Sequence, residues 1–354
     1  MAEVPNRRPE GVRNVTLSIC IPTFNRGRIL AGKVAACLAS SCRDFEIVVS
    51  DNASDDGSCE PLGAISDDRY VFLRNERNVG AFENQLRAFE AARGKYLMQM
   101  TDKDEVIPEG IVTAVVLLSG LDAACGGFDL VRGVAGVPSG TADTFSGLPA
   151  FARYGLGFAH PSGRFFRRDI LERGDMLSVL RALPERIRPY STDYLTTLCL
   201  RFGGFAQVYV PLVRWNLPPY GANRKSLSYD NRGNWYFTPE FLFDEFCEYV
   251  RFLRDSVLPS RLARLAVIPR ILKRTVLPRM TDGYRRVLSD EALCDWYGVP
   301  REFRDSERSR DLEGYFLDRV KQAVEVGTDD ALAMRLGAWF CRNRIRKQRR
   351  RHGK

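Results

Sequence analysis

The first hundred residues alternate short, almost wholly apolar runs with stretches of helical periodicity. Residues 17–21 are a near-continuous apolar run closed by Pro22, and "FEIVVS" (45–50), "RYVFLRN" (69–75) and "KYLMQM" (95–100) follow. Short apolar runs of this kind suit strands buried on both faces. Between the first two, Ile29, Leu30, Val34, Cys37 and Leu38 form one apolar stripe at helical spacing. Phe82, Leu86, Phe89 and Ala92 form another, ahead of Gly94 as a C-cap. Strands alternating with helices predict an α/β fold with a parallel sheet covered by helices on both faces.

Ligands of such sheets gather at the carboxyl ends of the strands. Three polar clusters fall there: "PTFNR" (22–26), "DNASDDGS" (51–58) and "TDKDE" (101–105). Other chemistries lack their signatures. No Gly-x-Gly-x-x-Gly follows the first strand, and no phosphate-binding Gly-x-x-x-x-Gly-Lys-Ser/Thr occurs. A Gly-x-Ser-x-Gly elbow is absent too, and a histidine-based triad would have to draw on His160 or His352. Nine cysteines, an odd number without a Cys-x-x-Cys pair, give neither a zinc pattern nor a disulfide framework, which predicts a reducing, cytoplasmic setting. Acidic side chains remain as the reactive groups.

Farther on, "FDLVRG" (128–133), "GRFFRRDIL" (163–171) and "FAQVYVPLVRW" (205–215) read as strands, and "YSTDYLTTLCLRFGG" (190–204) as a helix. The expected organisation is an N-terminal arm at 1–14, a domain at 15–216, a turn-rich linker at 217–234 and a mainly helical, basic region at 235–354. The longest apolar stretch, 111–124, is interrupted by Thr113, Ser119, Gly120 and Asp122 and is too short to cross a bilayer.

The phrases "SICIPTFNR", "VVSDNASD", "NVGAFENQLR" with "ARGKY", and "TDKDEVIP", followed by "HPSGRFFRRDIL", "YSTDYLTTLCLRFGG" and "PLVRW", recur in an order and spacing that resemble the inverting nucleotide-sugar glycosyltransferases of family 2. The resemblance covers about 16–216. It implies the GT-A fold, a Rossmann-like mixed sheet flanked by helices, and transfer of a sugar from a nucleoside diphosphate donor to a glycan or lipid-linked acceptor, as in surface polysaccharide synthesis. On the donor side it implies Pro22, Thr23, Phe24, Arg26, Asp51, Asn84, Asp102 and Lys103. Asp51 would accept the base's imide N–H, Phe24 would lie against the base and Arg26 would reach the diphosphate. An Asx turn accounts for 51–54 equally without any ligand.

The family's paired carboxylates hold Mn²⁺ or Mg²⁺, hard ions suited to oxygen ligands. Asp104 and Asp102 match that pair. Lys103, however, stands where a carboxylate usually sits, either to touch phosphate or to weaken the metal's hold. The general base falls to Asp193, with Ser191 and Thr192 in place of the usual acidic neighbour; a helix N-terminal charge is the plainer reading. His160 and Ser162 fall on the acceptor side. Two rivals keep the fold: a nucleotidyltransferase, and a nucleotide-sugar-binding scaffold without catalysis.

Lys and Arg outnumber Asp and Glu by 53 to 44, and seven of the formal +9 charges lie within 240–354. From Thr328 the sequence reads as an amphipathic helix with Leu332, Leu336, Trp339 and Phe340 on one face, running into eight Lys or Arg and no acid within 341–354. This reads either as a solvated tail or as a contact with the anionic inner face of a membrane. No nucleic-acid-binding signature accompanies the charge.

Overall fold

A computed structural model describes residues 14–131, 140–158, 160–216, 237–326 and 330–351. The expected linker and, apart from Asn14, the expected arm lie outside the described residues. The described chain packs as two compact units. One holds 14–131, 140–146, 160–183 and 198–216; the other holds 147–158, 184–197, 237–326 and 330–351. Residues 147–158 and 184–197, expected inside the first domain, therefore pack with the later helices.

The first unit is built on nine strands: β1 (Leu17–Thr23), β2 (Phe45–Asp51), β3 (Tyr70–Arg74), β4 (Tyr96–Gln99), β5 (Glu105–Val106), β6 (Cys125–Val131), β7 (Ala142–Phe145), β8 (Arg164–Arg167) and β9 (Phe205–Arg214). They lie in the order β3-β2-β1-β4-β8-β6-β9-β5, with β7 on β9. From β3 to β4 every pairing is parallel, as the alternation predicts. Beyond β4 the sheet is mixed, because β8 runs antiparallel to both β4 and β6. β2 is buried along its whole length, the expected signature of a central parallel strand. Phe45, Ile47, Leu17, Ile19 and Met98 are essentially inaccessible, each contributing roughly 1.5–3 kcal/mol by leaving water.

Three sequence expectations change. "GRFFRRDIL" divides into β8 and a short helix, Arg168–Arg173. β6 starts at Cys125, earlier than read, and β5 and β7 were not read as strands at all. The helix Ala81–Ala91 ends before Gly94, with Ala92 as its C-cap. Gly94 serves a different need: a Cβ there would lie 2.6 Å from Ser18 Oγ and 2.7 Å from Ser18 N, so only glycine lets the chain pass β1.

The second unit is helical. Its last helix, Ala331–Arg351, buries Ala333, Met334, Ala338, Cys341 and Ile345, while Leu332 (54%) and Trp339 (56%) stand exposed. The packed seam is thus a stripe of small residues one position off the expected apolar face. Gly337 permits this, since a Cβ there would meet Leu272 Cδ1 at 2.5 Å and Pro269 Cα at 3.2 Å. Among the described residues no helix is long and apolar enough to cross a membrane.

Candidate functional site

The polar clusters meet at the carboxyl ends of β1, β2 and β4. Parallel register places Thr23 beside Asp51 at the ends of β1 and β2, and β4 runs alongside β1 into the acidic turn. Thr23 Oγ1 donates to Asp102 Oδ2 at 3.1 Å, and Arg26 Nη1 donates to Asp102 Oδ1 at 2.8 Å. From the helix Gly27–Leu38, Lys33 Nζ gathers the backbone carbonyls of Asp102, Lys103 and Asp104 at 3.2, 2.8 and 3.0 Å. The turn is therefore clamped through its backbone as well as its carboxylates.

Asp104 lies beneath it with its side chain wholly buried. Its Oδ1 accepts from Lys103 Nζ at 2.9 Å and from Asn216 N–H at 3.0 Å. Its Oδ2 accepts from Thr101 Oγ1 and Ser162 Oγ, both at 2.6 Å, with His160 Nε2 at 3.3 Å. Burial pushes the Asp104 carboxyl up, but His160, Lys103 and the two hydroxyls outweigh it and hold it below the ordinary carboxylate range. Lys103 is lowered by burial, with Asp104 opposing; its Nζ also donates to Asn216 O at 3.1 Å and sits 5.2 Å from the Trp215 ring centroid. His160 Nδ1 lies 3.2 Å from the Ser162 N, and its Nε2 lies 3.2 Å from Lys103 Nζ and 3.3 Å from Asp104 Oδ2. His160 and Ser162, expected on the acceptor side, both contact Asp104.

A divalent ion needs carboxylate oxygens that it can reach. Each oxygen of Asp102 and Asp104 already accepts from a side chain or backbone donor, and these two carboxylates face three cations, Arg26, Lys33 and Lys103. Among the described residues no group of three or more His, Cys, Asp or Glu is placed to hold a metal. The donor set therefore does not fit Mn²⁺ or Mg²⁺. Asp104 and Asp102, the expected metal ligands, are paired here with Lys103 and Arg26.

Asp51 is fully buried at the end of β2. Its Oδ1 closes the Asx turn, accepting from Ser54 N at 3.1 Å and Ser54 Oγ at 2.5 Å. Its Oδ2 has no hydrogen-bond donor; the half-exposed Arg74 guanidinium is its nearest charge, at 3.6 Å. The Asx turn thus uses one oxygen, and among the described residues the other accepts no hydrogen bond. Asn84 is committed elsewhere. Its amide donates to Ser50 O at 2.8 Å and accepts from Ser50 Oγ and Asn75 Nδ2, so it braces the loops rather than facing a ligand. Pro22, near the end of β1, and Phe24, just after it, are half-buried.

In the second unit, Asp193 lies in the first turn of the helix Ser191–Cys199 and is 2% exposed. Its Oδ2 accepts from Phe158 N–H at 2.8 Å. Phe158 holds φ +45°, a left-handed conformation costly for a bulky residue, so this bond also fixes a strained backbone. From the helix Pro239–Phe252, Glu245 is buried, and among the described residues neither of its carboxylate oxygens has a hydrogen-bond partner. Burial foremost, and then the charge of Asp193, push its carboxyl up to about 8, with Tyr194 and Arg186 pulling it back. Glu245, 52 residues downstream of Asp193 in sequence, lies close enough to feel its charge.

Sequence reasoning missed Lys33, Thr101, Asn216 and Glu245. A lysine within the apolar stripe of the first helix was the signal for Lys33. Glu245 stood out as an acid flanked by Leu242, Phe243 and Phe246.

Comparison with known proteins agrees with this geometry. Residues 18–174 match the family described as glycosyl transferase family 2. A glycosyltransferase of Streptococcus pneumoniae, GlyG, is 28% identical over 98 residues, 27% of this chain and 32% of the relative. The GalNAc(5)-diNAcBac-PP-undecaprenol beta-1,3-glucosyltransferase of Campylobacter jejuni is 30% identical over 100 residues, covering 27% and 32% of the two chains. The aligned stretch thus spans about a third of the length of these curated relatives. Staphylococcus aureus TarS residues 1–349, solved with UDP-GlcNAc, superpose with a TM-score of 0.56 at 14% identity, over 94% of this chain and 92% of that one. At that identity the superposition speaks for the fold.

Proposed function

Because residues 18–174 match the family described as glycosyl transferase family 2, we propose that the chain is an inverting glycosyltransferase using a nucleoside diphosphate sugar. The observation that carries this reading is Asp51. A buried carboxylate with one unused acceptor, at the carboxyl end of a central strand, is built to take an N–H from a bound base. Thr23 and Arg26 line the same strand ends, with Arg26 as the cation for the diphosphate.

In the proposed reaction an acceptor hydroxyl oxygen attacks the anomeric carbon. The bond from that carbon to the β-phosphate oxygen breaks, and the electron pair leaves with the nucleoside diphosphate. Asp193 takes the hydroxyl proton. Glu245, pushed up to about 8, keeps its proton near neutral pH and so adds no second negative charge near Asp193. The acceptor is a glycan or a lipid-linked glycan, in keeping with the polyprenol-linked substrate that the Campylobacter relative's name specifies. Exposed Leu332 and Trp339, on a helix with Arg342, Arg346 and Lys347 also exposed, support a peripheral seat on an anionic cytoplasmic membrane face.

The test is a donor screen with the full chain. Uridine, guanosine, cytidine, adenosine and thymidine diphosphate sugars are supplied, and released nucleoside diphosphate and pyrophosphate are both assayed. Nucleoside diphosphate from one donor class supports the reading. Pyrophosphate instead would make the protein a nucleotidyltransferase, and neither product would point to a binding scaffold.

A further inference from the structure

Resting on the donor-binding reading above, we propose that the ammonium of Lys103, paired with Asp104, takes the place of a divalent cation, so that this chain binds and releases a nucleoside diphosphate without metal.

Three observations combine. The first is occupancy: Asp104 receives Lys103, Asn216, Thr101 and Ser162, two donors on each oxygen, and Asp102 receives Arg26 and Thr23, so a metal ion would have to displace cations already paired with both carboxylates. The second is charge. Two carboxylates among three cations present a net positive field, which attracts a diphosphate and repels Mn²⁺ or Mg²⁺. Glu105, the next acid along, is itself paired with Arg214 at 2.8 Å. The third is donor capacity. Lys103 spends two N–H bonds on Asp104 and Asn216 O, and its third contact is His160 Nε2 at 3.2 Å, a ring nitrogen that a phosphate oxygen would replace as the stronger acceptor. Arg26 Nε is buried without a hydrogen-bond acceptor among the described residues.

Lys103 is also positioned better than a surface lysine would be. Asp104, Asn216 and the Trp215 ring fix its Nζ, so little rotamer entropy is lost when phosphate arrives. During transfer it keeps its proton and donates a hydrogen bond to the departing phosphate oxygen, where a metal would act as a Lewis acid. Lys33 has a different part: with its three carbonyl bonds it holds the turn's shape.

The experiment is calorimetric titration of the full wild-type chain with UDP, GDP, ADP, CDP and dTDP, once in EDTA and once with Mn²⁺. A parallel titration uses Mn²⁺ alone. We expect one diphosphate to bind in EDTA with an affinity within about threefold of that in Mn²⁺, and no saturable Mn²⁺ site in the absence of nucleotide. Lys103→Ala should weaken that diphosphate by about tenfold or more in both buffers, the loss of one charge-assisted hydrogen bond. Lys103→Asp should acquire Mn²⁺ binding. A diphosphate that binds the wild type only with Mn²⁺ overturns the proposal and leaves the donor reading standing. No diphosphate binding in either buffer would remove the donor reading and this proposal with it. The wild-type comparison decides the matter even if a variant fails to fold.

Discussion

Glu245 offers a prediction that can be worked through from the structure. Its carboxyl is buried on the helix Pro239–Phe252, without a hydrogen-bond partner on either oxygen among the described residues, and it is pushed up to about 8 from its ordinary 4.5. In the folded protein it therefore holds a proton that the unfolded chain releases above about pH 4.5. Because the folded state binds more protons across that window, unfolding free energy falls as pH rises, by about 1.4 kcal/mol per unit. The loss starts near the unfolded value and levels off above about 8, for a total on the order of 5 kcal/mol from this one group. Glu245→Gln keeps the shape and removes the titration. Thermal melts of wild type and variant from pH 4.5 to 8.5 should then diverge with pH, the variant gaining several degrees relative to wild type at the alkaline end. The amide brings its own desolvation cost of about 1–3 kcal/mol, so the diagnostic quantity is the change in the difference with pH. Groups that do not feel the Glu245 charge titrate equally in both proteins and cancel. A difference that stays constant from pH 4.5 to 8.5 would refute the placement of a protonated Glu245 beside Asp193.

Further outcomes follow from single contacts. Asp330→Asn should destabilise the second unit by roughly 3 kcal/mol, because it leaves the buried Arg264 guanidinium, paired at 2.8 Å, without its counter-charge; chemical denaturation would read the loss. Gly94→Val should sharply reduce soluble yield, since its Cβ would lie within 2.7 Å of both the backbone nitrogen and the hydroxyl of Ser18. Asp51→Asn preserves the Ser54 turn but turns an acceptor into a donor if the amide nitrogen takes the Oδ2 place. Diphosphate affinity should fall at least about tenfold with melting temperature nearly unchanged.

Much of the first unit was legible because its signals are local. Buried parallel strands announce themselves as apolar runs, and the polar clusters at 22–26, 51–58 and 101–105 fall at strand ends whatever the rest of the chain does. The later sheet was harder to read. β6 opens with Cys125, Gly126 and Gly127, residues with no strand preference of their own, and β5 and β7 exist only because β9 offers them an edge. At the site, Asp51, Asp102 and Asp104 could be picked out by type and spacing, but not what would hold them. Asp104 owes its state to Ser162, His160 and Asn216, which are 58, 56 and 112 residues away in sequence. The last helix misled for a physical reason: Leu332 and Trp339 have the hydropathy of a buried face, yet close packing against Pro269 and Leu272 selects the small residues Gly337 and Ala338.

The central claim is that the chain transfers a sugar from a nucleoside diphosphate donor with Asp193 as base. Its most direct test is donor turnover by wild type and Asp193→Asn, read together with diphosphate affinity in the same preparations. The account predicts that Asp193→Asn binds the diphosphate as wild type does and releases product at least about a hundredfold more slowly, the scale of a lost general base. Turnover by Asp193→Asn at the wild-type rate would contradict it.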